Sequence, residues 1–151
     1  MVNLRFAEDA EMKARSTQMK SAETAEKSKE DLNRLTETII GFAIKVHKTL
    51  GPGFAEQIYE RALAHELEHA DIPLSKQEDV RVHYGKVDLG RQRIDLIVGD
   101  AVIVELKYVS HIMPLHKAQL LSYLKATEKR VGLILNFART TLNVKRMVNR
   151  F

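Results

Sequence analysis

The sequence predicts an α/β or α+β domain. Three observations point to it: two apolar stripes at helical spacing, then segments that alternate with a period of two, then a further helix running into a wholly apolar strand. Leu32, Leu35, Ile39, Phe42, Val46 and Leu50 recur every three or four residues, the stripe of an amphipathic helix that Gly51-Pro52-Gly53 stops. A second helix is expected from about Phe54 to Ala70, with Ala55, Tyr59, Leu63 and Leu67 on one stripe and Ile72-Pro73 as its end. Val80, Val82 and Tyr84 then alternate with Arg81 and His83, and Ile94, Leu96 and Val98 alternate with Asp95 and Ile97, the pattern of strands. After Gly99-Asp100, Val102, Val104 and Leu106 alternate with Ile103, Glu105 and Lys107, so the last two segments should form an antiparallel hairpin. Pro114 opens a helix to about Ala126, and VGLILNF at 131–137 reads as a strand buried on both faces. The order is α-α-β-β-β-α-β, with residues 142–148 left as either a strand or a helix; no internal repeat and no barrel pattern is present.

Residues 1–31, rich in Ala, Glu, Lys and Ser, have the composition of a solvated helix or a disordered arm, and residues 32–151 form the expected domain. A chain of 151 residues with 44% hydrophobic content is enough for one ordinary core. The absence of cysteine excludes disulfides, zinc ribbons, iron–sulfur clusters and thiol catalysis, and fits a reducing compartment, with the cytoplasm as the expected location. No apolar signal core opens the sequence and no run of 18 apolar residues occurs, so neither secretion by that route nor a membrane span is expected. The net charge is +4; residues 1–31 hold six Lys/Arg against seven Asp/Glu, leaving 18 against 13 for the rest. The excess belongs to the folded part and suits a polyanionic partner such as nucleic acid.

Alternation puts Glu105 and Lys107 on one face of their strand, a carboxylate and an ammonium projecting together from the apolar run AVIVELKYV. An edge-strand ion pair is one reading. Asp95, in the apolar strand ten residues earlier, supports another, because the hairpin could bring two carboxylates into one site for a hard cation such as Mg²⁺ or Mn²⁺. Lys107 would then stabilise charge developing on a phosphoryl group or help deprotonate water. This chemistry constrains the hairpin. A two-residue Gly99-Asp100 turn would pair Asp95 with Val104 and leave the carboxylates on opposite faces, so a three-residue loop or a bulge is required.

The sequence Asp95…Glu105-Leu106-Lys107 resembles the motif of the PD-(D/E)XK nuclease superfamily, and Gly53-Phe54-Ala55-Glu56-Gln57-Ile58-Tyr59 resembles the signature of its GxxExxY family. The likeness continues through Ala43–His47, Leu50–Gly53, Arg93–Val98, His116–Leu124 and Gly132–Phe137, and covers roughly residues 32–150. It implies a restriction-endonuclease-like mixed sheet flanked by helices, a divalent-metal phosphodiesterase site, and DNA or RNA as substrate. Residue by residue, the resemblance makes Asp95 and Glu105 metal ligands and Lys107 a catalytic lysine. Glu56 matches the glutamate of the first helix, near the metal, although a surface helical glutamate is the plain alternative. Gln119 and Tyr123 match a Q-x-x-x-Y element of RecB-like members that faces phosphate or the lysine; Tyr123 could equally be core. His47 stands where some RecB-like nucleases hold a metal-binding histidine, but a satisfied core histidine is the commoner outcome at such a position. Ile94 replaces the proline of the superfamily's name, and the iron–sulfur cysteines of some relatives are absent. A nucleic-acid-binding module without turnover, or a platform whose arm docks a partner, remain alternatives; oligomeric state is left open.

Overall fold

The computed structural model describes residues 26–151, so the reading of residues 1–31 as a charged helix or arm lies, as far as residue 25, outside the described residues. Helix α1, Lys29–Leu50, begins three residues before its apolar stripe because Ser28 caps it: the Ser28 hydroxyl accepts the Asp31 amide at 3.1 Å, and the Asp31 carboxylate accepts the Ser28 amide at 3.3 Å. Helix α2 is Glu56–His69, strand β1 Leu74–Tyr84, β2 Val87–Val98, β3 Val102–Lys107, α3 Pro114–Thr127, β4 Val131–Asn136 and β5 Asn143–Val148. The last of these makes a strand of residues 143–148, within the segment the sequence left as strand or helix. No helix among the described residues is long and apolar enough to cross a membrane.

The five strands lie in the order β1-β2-β3-β4-β5, with every neighbouring pair antiparallel except β3 and β4. A parallel pair needs a crossover, which α3 supplies. The sheet therefore carries a layer on each face. On one side, Ile39, Ala43 and Val46 of α1 and Tyr59, Leu63 and Leu67 of α2 pack on Leu96, Val104, Leu106, Leu133 and Leu135. On the other, Leu120, Tyr123 and Leu124 of α3 pack on Ile94, Ile97, Ile103 and Ile134. Burying each such Leu or Ile contributes about 1.5–3 kcal/mol, so β3 and β4, apolar on both faces, anchor both layers.

Gly132 lets α3 come close to the sheet. A Cβ there would meet Leu120 Cδ1 at 2.7 Å, so the fully buried Leu120 would have to shift. Gly132→Ala is thus expected to destabilise the protein by about 1–3 kcal/mol, read as a lowered denaturation midpoint.

The first hairpin is longer than the apolar alternation suggested. Residues 81–93 are exposed throughout, so β1 and β2 extend as a two-stranded ribbon with a register shift between Val82 and His83. Beyond the alternation that ends at Tyr84, no apolar period marks residues 85–93, which is why their strand character is not legible in the sequence.

Candidate active site

Gly99, Asp100 and Ala101 join β2 to β3 as a three-residue loop, with Gly99 (φ 59°) and Asp100 (φ 52°) both left-handed and the Ala101 amide donating to the Val98 carbonyl at 3.1 Å. Glycine and aspartate are residues that accept this conformation at low cost. The loop sets the pairs Val98↔Val102, Ile97↔Ile103 and Leu96↔Val104, and the next step along the register brings Asp95 beside Glu105. The loop length that the carboxylates require is the one the chain adopts.

Beyond Leu96↔Val104 the side chains take over from the backbone ladder. Glu105 Oε1 accepts the Asp95 amide at 3.2 Å, and Asp95 Oδ2 accepts the Leu106 amide at 2.9 Å. Each carboxylate is fixed through one oxygen; Asp95 Oδ1 and Glu105 Oε2 take no hydrogen bond from a backbone amide among the described residues. Asp95 also sits where the alternation slips, since Ile94 packs on the α3 side and Leu96 on the opposite side, whereas a regular strand would put both on one face. Across from it on β1, Gln77 has φ 51° and its amide donates to the Glu60 carboxylate of α2 at 2.9 Å.

Glu105 is only 5% exposed. Burial first, and then the charge of Asp95, push its carboxyl up to about pH 8, while Lys107 and the Asp95 amide pull the other way. Two carboxylates this close compete for one positive charge. Lys107, two residues on, lies half-buried at the end of β3 on the same face as Glu105. Tyr123 closes the α3 side: burial, then Glu105 and Asp95, raise its phenol, and the hydroxyl donates to Gln92 Oε1 at 3.1 Å. Gln119 lies one turn before Tyr123 on α3, half-buried.

Glu56 opens α2, and its carboxylate accepts the Tyr108 amide at 3.1 Å, one residue past Lys107. It thereby holds the carboxyl end of β3. Tyr59, fully buried, donates its hydroxyl to the Gly51 carbonyl at 2.6 Å, accepts the Phe54 amide at 3.2 Å and stacks on Phe137. Gly53 has φ 121°. The Gly53, Glu56 and Tyr59 pattern therefore has a shared physical reason: a left-handed turn, a tie to the end of β3, and a pin through the core. His47 is not brought to the carboxylates. It is buried on α1 with Nε2 at 2.8 Å from the Arg139 carbonyl and its ring beside Phe137, so that nitrogen carries a proton and acts as a donor.

Two residues of this region escaped the sequence reading. Gln92 receives the Tyr123 hydroxyl, and nothing in its exposed, charged surroundings marks it. Asn136, fully buried and paired in register with Lys107, accepts the Val109 amide at 3.1 Å and donates to the Val109 carbonyl at 2.8 Å. Its signal was present, as an amide in an otherwise apolar strand must find partners.

No group of three or more His, Asp or Glu side chains is arranged to hold a metal ion among the described residues. The available donor set is two carboxylates, each with one oxygen not taken by a backbone amide. That suits a small hard cation which keeps several waters and shares substrate oxygens, and a cation between Asp95 and Glu105 would replace the proton their crowding otherwise retains.

The sequence model of a family described as the PD-(D/E)XK nuclease superfamily matches residues 33–150. No curated protein matches the sequence. The crystal structure of SSO0001 is similar with a TM-score of 0.50 at 17% identity, over 63% of this chain and 50% of that one. An alkaline exonuclease from Laribacter hongkongensis has a TM-score of 0.47 at 14% identity, over 85% of this chain and 74% of that one. The chain thus spans half the length of the first of these structures, and the likeness to it is one of fold.

Proposed function

This chain belongs to the PD-(D/E)XK nuclease superfamily, and we propose that it hydrolyses phosphodiester bonds of DNA or RNA with Mg²⁺ or Mn²⁺ held by Asp95 and Glu105. The observation that carries this reading is the carboxylate pair, each member fixed through one oxygen by a backbone amide, with Lys107 on the same face. When bound, the cation supplies Lewis acidity toward a phosphoryl oxygen and lowers the pKa of water.

The chain's own residues do the remainder. Asp95 and Glu105 hold the site's negative charge where burial makes it count. The Lys107 ammonium is placed to offset charge that develops on the phosphoryl oxygens. Tyr123, with its hydroxyl fixed by Gln92, presents a phenol beside the carboxylates, and Gln119 on the same helical face extends that surface toward a backbone phosphate. Glu56 acts as a positioning residue through the Tyr108 amide. His47 has no part in this proposal.

Within the superfamily we place the chain with the GxxExxY family and its RecB-like site pattern, with residues 32–151 as the nuclease domain, residues 1–31 as an appended arm, and the cytoplasm as its location. An amide on backbone phosphate and a phenol stacked on a base read no sequence, so cleavage is sequence-independent and favours single strands or ends. Incubating the protein with labelled single-stranded, duplex and flapped DNA and RNA, in Mg²⁺, Mn²⁺ or EDTA, should give cleavage only with metal, fastest on single strands and falling steeply as salt is added. Absence of cleavage under every metal condition, or equal cleavage by Glu105→Ala, would overturn the proposal.

A further inference from the structure

Resting on the phosphodiesterase reading above, we propose that the groove between the first turn of α3 and the edge strand β5 binds the phosphate backbone of a single substrate strand next to the scissile bond. The groove has a volume of about 290 Å³, and His111, Lys117, Arg139, Asn143 and Lys145 are among the residues that line it, with no acidic side chain. Three of these are permanent cations. Lys117 and Lys145 form no ion pair within 4 Å among the described residues, in contrast to Lys129 and Arg130, which lie against Asp100 and Glu26. Unneutralised cations lining a concave surface concentrate anions there.

The sheet register ties the groove to the carboxylates. Glu105 pairs with Ile134, and Ile134 pairs with Lys145, so the three stand in one row across β3, β4 and β5. Lys107, Asn136 and Asn143 form the next row. Met147 packs into the α3-side cluster, which puts Lys145 and Asn143 on that same face. At a strand spacing of about 4.8 Å, Lys145 stands roughly 10 Å from Glu105 along the row, about three nucleotides at ~3.4 Å rise each.

The wall of the groove is preformed. The segment after Lys107 is tied down at Val109 by both polar groups of Asn136 and at Ser110, whose carbonyl accepts Arg139 Nη1 at 2.9 Å. His111 and Ile112 follow directly and line the groove. A backbone entering there meets fixed positive charge without first ordering a loop, which removes part of the cost of binding. The groove is the size of a small-ligand site, suited to a single strand.

The test measures binding without turnover. Fluorescence anisotropy of a labelled single-stranded DNA 12-mer is titrated with the full chain in EDTA across a salt series. The Lys117→Ala/Lys145→Ala double variant should bind at least about tenfold more weakly at low salt, and the slope of log K against log salt should fall by about 1.4, at ~0.7 for each single-strand phosphate contact. Arg61→Ala, an exposed cation on α2, should leave both unchanged. Lys145 is exposed and Lys117 half-buried, and a thermal melt of the double variant checks its fold. An unchanged slope and affinity, or no binding by the wild-type chain, overturns the groove assignment. Cleavage by the wild-type chain alongside an unchanged slope sinks the groove and keeps the nuclease; groove-dependent binding without cleavage in any metal does the reverse.

Discussion

Asp95→Ala and Glu105→Ala are each expected to lower single-turnover cleavage by about 10³-fold and to weaken Mn²⁺ binding at least about 10²-fold, whereas Lys107→Ala should lose about 10²–10³ in cleavage and keep its Mn²⁺ affinity. The difference follows from donor chemistry. A carboxylate offers lone pairs to a cation, while a protonated lysine has only N–H groups to give. Asp95 and Glu105 hold each other's strands through the Leu106 and Asp95 amides, so each alanine also removes one tie across the hairpin. Lys107 makes no such tie, and its loss leaves the donor pair in place. Calorimetric titration of Mn²⁺ into the three variants beside the wild type separates the roles, and equal affinities in all four proteins would sink the ligand assignment.

The register behind this prediction could be worked out from the sequence, because side chains alternate between Asp95 and Val98 and between Val102 and Glu105, and a loop of two residues puts the carboxylates on opposite faces while a loop of three joins them. The helices were legible for a similar reason: Leu32, Ile39, Val46, Tyr59, Leu63 and Leu67 all point into one core. What the sequence does not mark is whatever lacks a buried face. The first half of β2 runs in an exposed ribbon with no hydrophobic period, and β5, mostly exposed at an edge, carries too little pattern to separate strand from helix. Partners across long separations are also invisible. Glu56 reads as a helical surface glutamate until the carboxyl end of β3 arrives 52 residues later with an unpaired amide at Tyr108. His47 likewise finds its partner 92 residues on, at the Arg139 carbonyl.

Glu105→Gln should make the metal-free protein more stable at alkaline pH while abolishing cleavage. The Glu105 carboxyl is nearly enclosed and faces Asp95, and in the folded chain it keeps its proton up to about pH 8, against an ordinary value of 4.5. Between those limits the folded state binds a proton that the unfolded state has released, so stability is fully present below about pH 4.5, falls as pH rises through the window, and levels off above about pH 8. At about 1.4 kcal/mol for each tenfold difference in proton affinity, the loss across the window is on the order of 5 kcal/mol, or roughly 10–20 °C in Tm for a domain of this size. Glutamine keeps the shape and the acceptor for the Asp95 amide but carries no charge to bury, so its melting curve should stay flat over the same range. A divalent cation acts on the wild type in the proton's place and should recover most of the loss, with little effect on the variant. Thermal melts in EDTA and in Mn²⁺ at pH 5, 7 and 9 measure all of this at once. Parallel pH dependence in the wild type and Glu105→Gln would show that the two carboxylates do not crowd one another in the folded chain, and the reason for a cation between them would go with it.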